Sequence, residues 1–250
     1  MNLLRVFIGL DPRQPLAYQV AAHSIARNSS RPVSITPLIL SQLPLKRRGL
    51  TEFTFSRYLV PYLCGYEGHA LFVDADILCM GDIAELPWDS HHAVSVVSHD
   101  NVTLRGQQVD VRFERPSVML FNCHECEALT LDLIETGTPQ KLQTWAQPHG
   151  LSIGELPPAW NFLVGYDDRH RLKFSAAGAL EDHRVKLAHF TMGIPVFPET
   201  CNDEYAAEYR AEIELMNSTV SWAEIMGGSV HAKWKEPLPV KKFMSAQGFR

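Results

Sequence analysis

The segment at 70–76, ALFVDAD, constrains the fold more than any other part of the sequence. Four apolar residues run into Asp74 and Asp76, and the chain then turns apolar again. A short apolar run of this kind is typical of a buried strand. Ligands of open α/β sheets bind beyond the carboxyl ends of the strands, and alternate residues of an extended chain point to one side. The segment therefore predicts a cleft that both carboxylates face.

Predicted strands alternate with predicted helices through the first half of the chain. Asp11-Pro12 predicts the cap and entry of the first helix, and Pro61 marks a kink or an end of the second. The predicted strands are LRVFIGL, PVSITPLI, ALFVDAD, HAVSVVS, PSVMLFN and RVKLAHFT. The predicted helices are QPLAYQVAAHSIARNS, TFSRYLVPYLC, CEALTLDLIETG, PQKLQTWAQ, DEYAAEYRAEIELMN and VSWAEIMG. This order predicts an α/β fold with a mainly parallel sheet flanked by helices, followed by a helical tail.

Composition excludes some classes of function. The chain has 250 residues and a formal net charge of −5, so no general basic field exists to hold nucleic acid or an anionic membrane. No run approaches the ~20 apolar residues of a spanning helix, and MNLLRVFIGLD lacks the pattern of a signal peptide. The five cysteines include one CxxC, at Cys123 and Cys126, whereas a zinc site needs a second pair. We expect a cytoplasmic protein with reduced thiols.

Two neighbouring carboxylates repel each other unless a cation lies beside them. Hard divalent ions take oxygen ligands, and a substrate phosphate often completes their coordination. Asp74 and Asp76 therefore predict a Mg²⁺ or Mn²⁺ site that holds a nucleotide diphosphate, although two solvated turn aspartates would give the same pattern. Phosphatases of the haloacid dehalogenase type also place such a pair after an apolar run, as nucleophile and general acid. Asp167-Asp168 could supply their later acidic pair, but their motif begins the chain and this one does not.

One ordered set of segments comprises FIGLD, FTFSRYLVPYL, ALFVDADILCMGDIAELP, PSVMLFN, LPPAWN and LAHFTMGIP. This set resembles glycosyltransferase family 8 and its close relatives, and the resemblance covers roughly residues 4 to 198. It implies a GT-A fold and transfer of a hexose or related sugar from a nucleotide-sugar, usually UDP-linked, with retention of anomeric configuration. It also implies a catalytic domain at 1–200, with a helical tail at 201–250.

The resemblance implies roles for particular residues. Asp74, Asp76 and His189 would bind Mn²⁺ or Mg²⁺. Arg57 would lie near the nucleotide and the donor sugar. Other donor contacts would come from Ile8, Gly9 and Asp11 at the base and ribose, from Ala75 at the nucleotide, from Gly193 at the diphosphate, and from Asp100 at the donor sugar. Trp160 and Asn161 would lie on the acceptor side.

Several positions depart from the family pattern. The late motif, commonly His-Phe-x-Gly-x-x-Lys-Pro, has Gly193 displaced and no lysine before Pro195, so Lys233 or Lys235 would have to replace that contact. Arg115-Pro116-Ser117 stands where the family has a small Asn-x-Gly, and Glu155 stands in for an acidic-glutamine pair. A non-catalytic nucleotide-sugar-binding protein is therefore a further alternative.

The resemblance does not identify the acceptor, which could be a saccharide, a glycolipid, a protein or a modified nucleic-acid base. Basic and aromatic residues of the tail, among them Trp234 and Phe243, are compatible with peripheral contact with a membrane.

Overall fold

A computed structural model of the chain describes residues 3–98, 102–104, 107–109, 116–166 and 184–217. The strands are β1 Leu4–Gly9, β2 Val33–Leu38, β3 His69–Val73, β4 Ile77–Cys79, β5 Val94–Val96, β6 Val102–Leu104, β7 Gln107–Val109, β8 Val118–Asn122, β9 Ile153–Glu155, β10 Phe162–Leu163 and β11 Leu187–His189. The helices are α1 Pro15–Asn28, α2 Val60–Leu63, α3 Leu131–Thr136, α4 Pro139–Gln143 and α5 Ala206–Met216.

The main sheet has six strands in the order β2-β1-β3-β8-β5-β9. Every neighbouring pair is parallel except the two that β8 makes with β3 and β5. Strand β3 lies at the centre, and its residues from Ala70 to Val73 are fully buried, which explains the apolar run in the sequence. The predicted α/β fold with a mainly parallel sheet is therefore confirmed.

A second, three-stranded sheet begins where the chain leaves β3. After Val73 the chain turns through the two aspartates into β4, which belongs to the sheet β10-β11-β4 rather than to the main one. Strand β11 pairs with β4 antiparallel, and the register places His189 opposite Ile77. This pairing brings residues from two distant parts of the sequence to the end of β3. Strands β6 and β7 form a separate antiparallel pair.

Helix α1 covers part of both sheets with one apolar face. Its buried residues include Ala17, Val20, Ala21 and Ile25, at helical spacing. The helix begins at Pro15. Proline is favourable there because the first N–H groups of a helix have no partner within the helix, so its missing N–H costs nothing. The predicted entry at Asp11-Pro12 is wrong, because the Asp11 side chain accepts hydrogen bonds from Arg13 instead of capping the helix.

Other predicted helices are shorter than their patterns suggested. The segment around Pro61 forms a 3-10 turn, Ser56–Leu59, followed by α2, and the proline lies in the first turn of α2, which agrees with its prediction at a helix end. The segment CEALTLDLIETG divides into a 3-10 turn, Cys123–Cys126, and the short helix α3.

Helix α5 is attached to α1 by a buried carboxylate. Glu212 is 2% exposed and contacts His23 Nδ1 at 2.6 Å and Arg27 Nη2 at 2.7 Å. Burial alone would raise the pKa of Glu212, but hydrogen bonds from Arg27 and His23 outweigh it, so the pKa lies below its usual range. Tyr209, one turn earlier, packs edge-on against Phe190 with ring centroids 5.2 Å apart.

The chain divides into two compact units, Met1–Ile213 and Glu214–Arg250, and of the second only residues 214–217 are described. The predicted helix VSWAEIMG and the basic and aromatic residues of the tail lie outside the described residues. The predicted division at residue 200 stays a prediction. In the described part of the chain, no helix is both long and apolar enough to cross a membrane.

Candidate metal centre and cleft

The two aspartates lie in the turn between β3 and β4, and backbone hydrogen bonds hold both ends of that turn. Asp74 N–H donates to the Ser117 carbonyl at 2.9 Å, just before β8. The Asp76 carbonyl accepts from Phe190 N–H at 2.9 Å, just after β11. Both side chains line one cleft, which is the arrangement that their position at a strand end predicted.

His189 completes a group of three side chains that could hold a metal ion. One ligand atom from each of Asp74, Asp76 and His189 lies within 4.8 Å of the other two. The His189 imidazole is 2% exposed, and its Nε2 is 3.2 Å from Asp76 Oδ1. Because His189 lies opposite Ile77 in the β4–β11 pair, the strand register determines this contact.

The charges of this group fit a divalent cation. Arg57 Nη2 lies 3.0 Å from Asp74 Oδ1, so one carboxylate already has a fixed positive partner. Asp76 Oδ1 is buried and accepts no hydrogen bond from the described residues, although His189 Nε2 lies beside it. Burying an ionised oxygen without such a bond is costly unless a cation contacts it. The two carboxylates suit Mn²⁺ or Mg²⁺, and the imidazole adds a nitrogen ligand of the kind that transition-metal ions accept.

Arg57 is held rigidly at the wall of the cleft. Arg57 is 8% exposed, and its Nε donates to the Phe53 carbonyl at 3.3 Å. The guanidinium carbon lies 5.1 Å from the centre of the Phe72 ring, within the range of a cation–π contact. The sequence predicted a donor contact for this arginine, and the structure places it where a ligand beside Asp74 would meet it.

The cleft has a volume of about 290 Å³ and one strongly aromatic wall. Its described lining residues are Leu50, Thr51, Phe53, Thr54, Phe55, Arg57, Tyr58, Asp74, Asp76, Pro116, Pro139, Gln143, His189 and Thr191. Burial raises the pKa of Tyr58 to about 12, with Arg57 opposing and Asp74 adding to the effect, so this hydroxyl stays protonated at neutral pH. Thr191 Oγ1 is buried without a hydrogen-bond partner among the described residues.

Sequence reasoning did not single out the aromatic wall or Thr191. The wall comes from FTFSRY, in which the resemblance assigns a role to Arg57 alone, and the aromatic residues around that arginine are the signal that would predict the wall. Thr191 follows His189 by two positions, so the late motif itself contained it. Neither residue type carries charge or strong metal affinity, which is why neither attracted a prediction.

The donor contacts predicted at and just after the first strand, Ile8, Gly9 and Asp11, have different surroundings. Ile8 is fully buried in the sheet. Gly9 lies directly beneath Phe53, because a Cβ atom on Gly9 would be 2.3 Å from Phe53 Cγ. Asp11 pairs with Arg13 at 2.6 Å, and this hydrogen bond holds the pKa of Asp11 below its usual range. None of the three belongs to the described residues that line the cleft, and their contact with the nucleotide stays a prediction.

Trp160 and Asn161 are also buried rather than exposed to the cleft. Trp160 is 3% exposed and packs beneath Lys186, whose Nζ is 5.3 Å from the indole ring. Asn161 is fully buried, and its Oδ1 lies 3.0 Å from His189 Nδ1. The structure therefore places Asn161 behind His189, on the side away from Asp76.

Of the remaining predicted residues, the structure describes Ala75 and Gly193 but not Asp100. Ala75 is 4% exposed and lies between the two aspartates. Gly193 has φ of +115°, and its N–H donates to the Phe190 carbonyl at 2.9 Å, which closes a turn directly after His189. Asp100 lies outside the described residues, as do the tail lysines Lys233 and Lys235.

The cysteines do not form a metal site in the described part of the chain. There, the only group of three or more potential ligands is that of Asp74, Asp76 and His189. All five cysteines are free, and Cys126 Sγ donates to the Ala93 carbonyl at 3.3 Å.

Comparison with solved structures shows a shared fold. The chain is similar to the glycosyltransferase GlyE of Streptococcus pneumoniae TIGR4, with a TM-score of 0.57, 16% identity, and coverage of 95% of this chain and 65% of GlyE. It is similar to the galactosyltransferase LgtC, with a TM-score of 0.54, 12% identity, and coverage of 90% and 99%. The bifunctional glycosyltransferase WbbM gives a TM-score of 0.56 at 14% identity, with coverage of 89% and 50%. The chain thus spans about half of WbbM and 65% of GlyE.

These structural neighbours are glycosyltransferases of the GT-A fold, and at such low identity they show the fold that the sequence predicted. The chain matches no protein-family model, so membership of family 8 stays a prediction. Among characterised sequences, it is 35% identical to Protein CDI of Arabidopsis thaliana over 234 residues, which cover 85% of this chain and 87% of that protein. The chain therefore belongs to the family of Protein CDI.

Proposed function

We propose that this protein is a metal-dependent glycosyltransferase. Its donor is a nucleotide-sugar, with UDP as the nucleotide and a hexose or related sugar as the group transferred. The observation that carries the proposal is the Asp74, Asp76 and His189 group, within 4.8 Å, at the edge of a cleft in a GT-A fold. The structural neighbours LgtC, GlyE and WbbM are named as glycosyltransferases, and LgtC was solved with donor and acceptor sugar analogs.

The side chains of the cleft suit a nucleotide-sugar in three ways. Asp74, Asp76 and His189 Nε2 offer two oxygens and one nitrogen to a Mn²⁺ or Mg²⁺ ion. When bound, such an ion supplies positive charge where a diphosphate leaving group gains negative charge. Arg57 adds a permanently charged guanidinium at the same wall. The rings of the wall give an apolar surface for a base or sugar ring and exclude water from it.

Retention of anomeric configuration is part of the proposal. Among the described residues that line the cleft, the only carboxylates are Asp74 and Asp76, and both are assigned to the ion. The described part of the cleft thus offers no spare carboxylate as a nucleophile, so the leaving phosphate would take the acceptor proton. A cytoplasmic location is also part of the proposal, and the five free cysteines support it because a reducing compartment keeps thiols unpaired.

The test is donor hydrolysis without an acceptor. The protein is incubated with Mn²⁺ and a panel of nucleotide-sugars, and release of free nucleotide is scored. A thermal shift with UDP and Mn²⁺ accompanies it. We expect one UDP-sugar to be hydrolysed and UDP to raise the Tm only with the metal. Asp76→Asn should abolish both effects, whereas Asp132→Asn, at an exposed position in the first turn of α3, should leave both unchanged.

Two outcomes would support other functions. Hydrolysis of generic phosphoesters that Asp74→Asn abolishes would indicate the dehalogenase-type phosphatase, in which Asp74 must be a free nucleophile rather than the partner of Arg57. A metal-dependent shift with a nucleotide-sugar, without any hydrolysis or transfer, would indicate a binding protein. No shift with any nucleotide would refute the proposed function.

A further inference from the structure

A buried chain of polar side chains runs from the middle of the main sheet to the candidate metal centre. Ser117 lies directly before β8 and is 1% exposed. Its Oγ accepts from Asn161 Nδ2 at 2.8 Å, and Asn161 Oδ1 lies 3.0 Å from His189 Nδ1. The other ring nitrogen, His189 Nε2, faces Asp76 Oδ1 at 3.2 Å. Asn161 thus contacts the nitrogen of His189 that faces away from Asp76.

Ser117 connects both halves of the centre. Its carbonyl accepts from Asp74 N–H at 2.9 Å, while its hydroxyl holds the amide of Asn161. Asn161 itself follows the 3-10 turn Pro158–Trp160, and the next residues form β10, which pairs with β11. Because these elements fix both the asparagine backbone and its amide, the side chain has little freedom to turn away from His189.

The orientation of the amide determines which nitrogen of His189 is available to an ion. With Oδ1 toward His189, the amide is an acceptor, so Nδ1 must carry a proton and donate it. The Nε2 lone pair then faces Asp76, on the side where a metal ion would bind. A histidine that binds a metal through one nitrogen usually donates the other N–H to an oxygen, which fixes the ring and its tautomer.

We propose that Asn161 is a positioning residue that keeps the proton of His189 on Nδ1 and thereby presents Nε2 to the divalent cation. This inference rests on the proposed function for its metal but reassigns Asn161 from the acceptor side to the back of the metal centre. Ser117 acts one step further away, because its hydroxyl holds the amide in the productive orientation.

Three variants test the proposal. Asn161→Leu keeps the branched shape but removes the acceptor, and it should weaken Mn²⁺ binding by about 10–100-fold. Asn161→Asp has only acceptor oxygens, so it should restore Mn²⁺ binding to wild-type strength or better. Ser117→Ala frees the amide to rotate and should give a smaller loss. Ser95→Ala removes another buried serine hydroxyl, one that faces Ser90 rather than the cleft, and serves as the matched control.

Two measurements are made on each variant, with thermal unfolding to check that each one folds. Free Mn²⁺ is followed by electron paramagnetic resonance to obtain its Kd. The side-chain nitrogens of His189 are observed by ¹⁵N NMR in the metal-free protein, with His189→Gln used for assignment. We expect a protonated, exchange-protected Nδ1 in the wild type and in Asn161→Asp, and loss of that protection in Asn161→Leu.

The two proposals can fail separately. An unprotonated Nδ1 in the wild type would overturn the role of Asn161, as would wild-type Mn²⁺ affinity in Asn161→Leu. Loss of affinity in Asn161→Asp equal to that in Asn161→Leu would also overturn it, because a merely structural asparagine would not be rescued by an acceptor. A wild type that binds no Mn²⁺ would refute the proposed function, while the NMR measurement would still decide the hydrogen bond.

Discussion

Gly9→Ala adds one methyl group at the end of β1, directly beneath a ring that forms the wall of the cleft. The new Cβ would lie 2.3 Å from Cγ of Phe53 and 2.7 Å from its Cβ and Cδ1. Carbon atoms do not approach this closely, so the ring has to move. Phe53 is 7% exposed and packs in the core, which leaves the ring little room except toward the cleft.

The magnitude follows from two opposing effects. Overpacking of a well-packed site typically costs about 1–3 kcal/mol. Gly9 is not among the glycines at positive φ, so alanine adds no backbone strain and gains about 0.4–1 kcal/mol from a more restricted unfolded chain. We expect the free energy of unfolding of Gly9→Ala to fall by about 1–2 kcal/mol. In a Phe53→Ala background two of the three closest atoms are gone, so the penalty should fall to less than half.

The assay is a double-mutant cycle by urea unfolding, followed by tryptophan fluorescence, on the wild type, Gly9→Ala, Phe53→Ala and the double variant. Gly150→Ala is the control for the cycle. Its site has φ of +68° and no atom near the new methyl group, so its effect should add to that of Phe53→Ala within about 0.5 kcal/mol. An equal Gly9→Ala penalty in both backgrounds would refute the packing argument. Unchanged stability with weaker UDP binding would favour the nucleotide contact that the sequence predicted.

Three further predictions concern the helix attachment, a thiol and the turn after the metal centre. Glu212→Gln should lower the free energy of unfolding by about 1–3 kcal/mol at pH 7. The pKa of this carboxyl is depressed, so its contribution is present above the unfolded value of 4.5 and is lost as the pH falls through the folded value. Urea titrations should therefore show the gap to wild type closing at acid pH, and a constant gap at pH 3 would contradict this. Cys64 should react with iodoacetamide before Cys123, as read by mass spectrometry. A hydrogen bond from the Cys123 thiol lowers the pKa of Cys64, which is partly exposed, whereas Cys123 is buried and its pKa is raised; faster labelling of Cys123 would refute this. Gly193→Ala, at φ of +115°, should cost about 1–3 kcal/mol and weaken Mn²⁺ binding, whereas Gly150→Ala should leave Mn²⁺ affinity unchanged.

The sequence was most informative where the relevant physics is local. The hydrophobicity of each side chain indicates whether that residue is buried. The apolar run of β3 and the alternating strand and helix patterns could therefore be recognised, and they predicted the α/β fold. The ends of elements were harder, because Asp11 had two available partners, the helix start and Arg13, and only the folded geometry shows which one it takes.

The sequence by itself determined that two carboxylates lie at the end of a buried strand. Its resemblance to a family predicted His189 as the third metal ligand. Only the tertiary structure decided how these groups meet. The antiparallel register of β4 and β11 sets His189 opposite Ile77, and the Ser117–Asn161 hydrogen bond joins residues 44 positions apart. Gly9 lies beneath Phe53 and Asn161 lies behind His189, while their predicted substrate contacts stay predictions. Local sequence patterns indicate whether a residue is buried, but which residues surround it depends on strand pairing between distant segments. That pairing brings Asp76 and His189 together at the candidate metal centre.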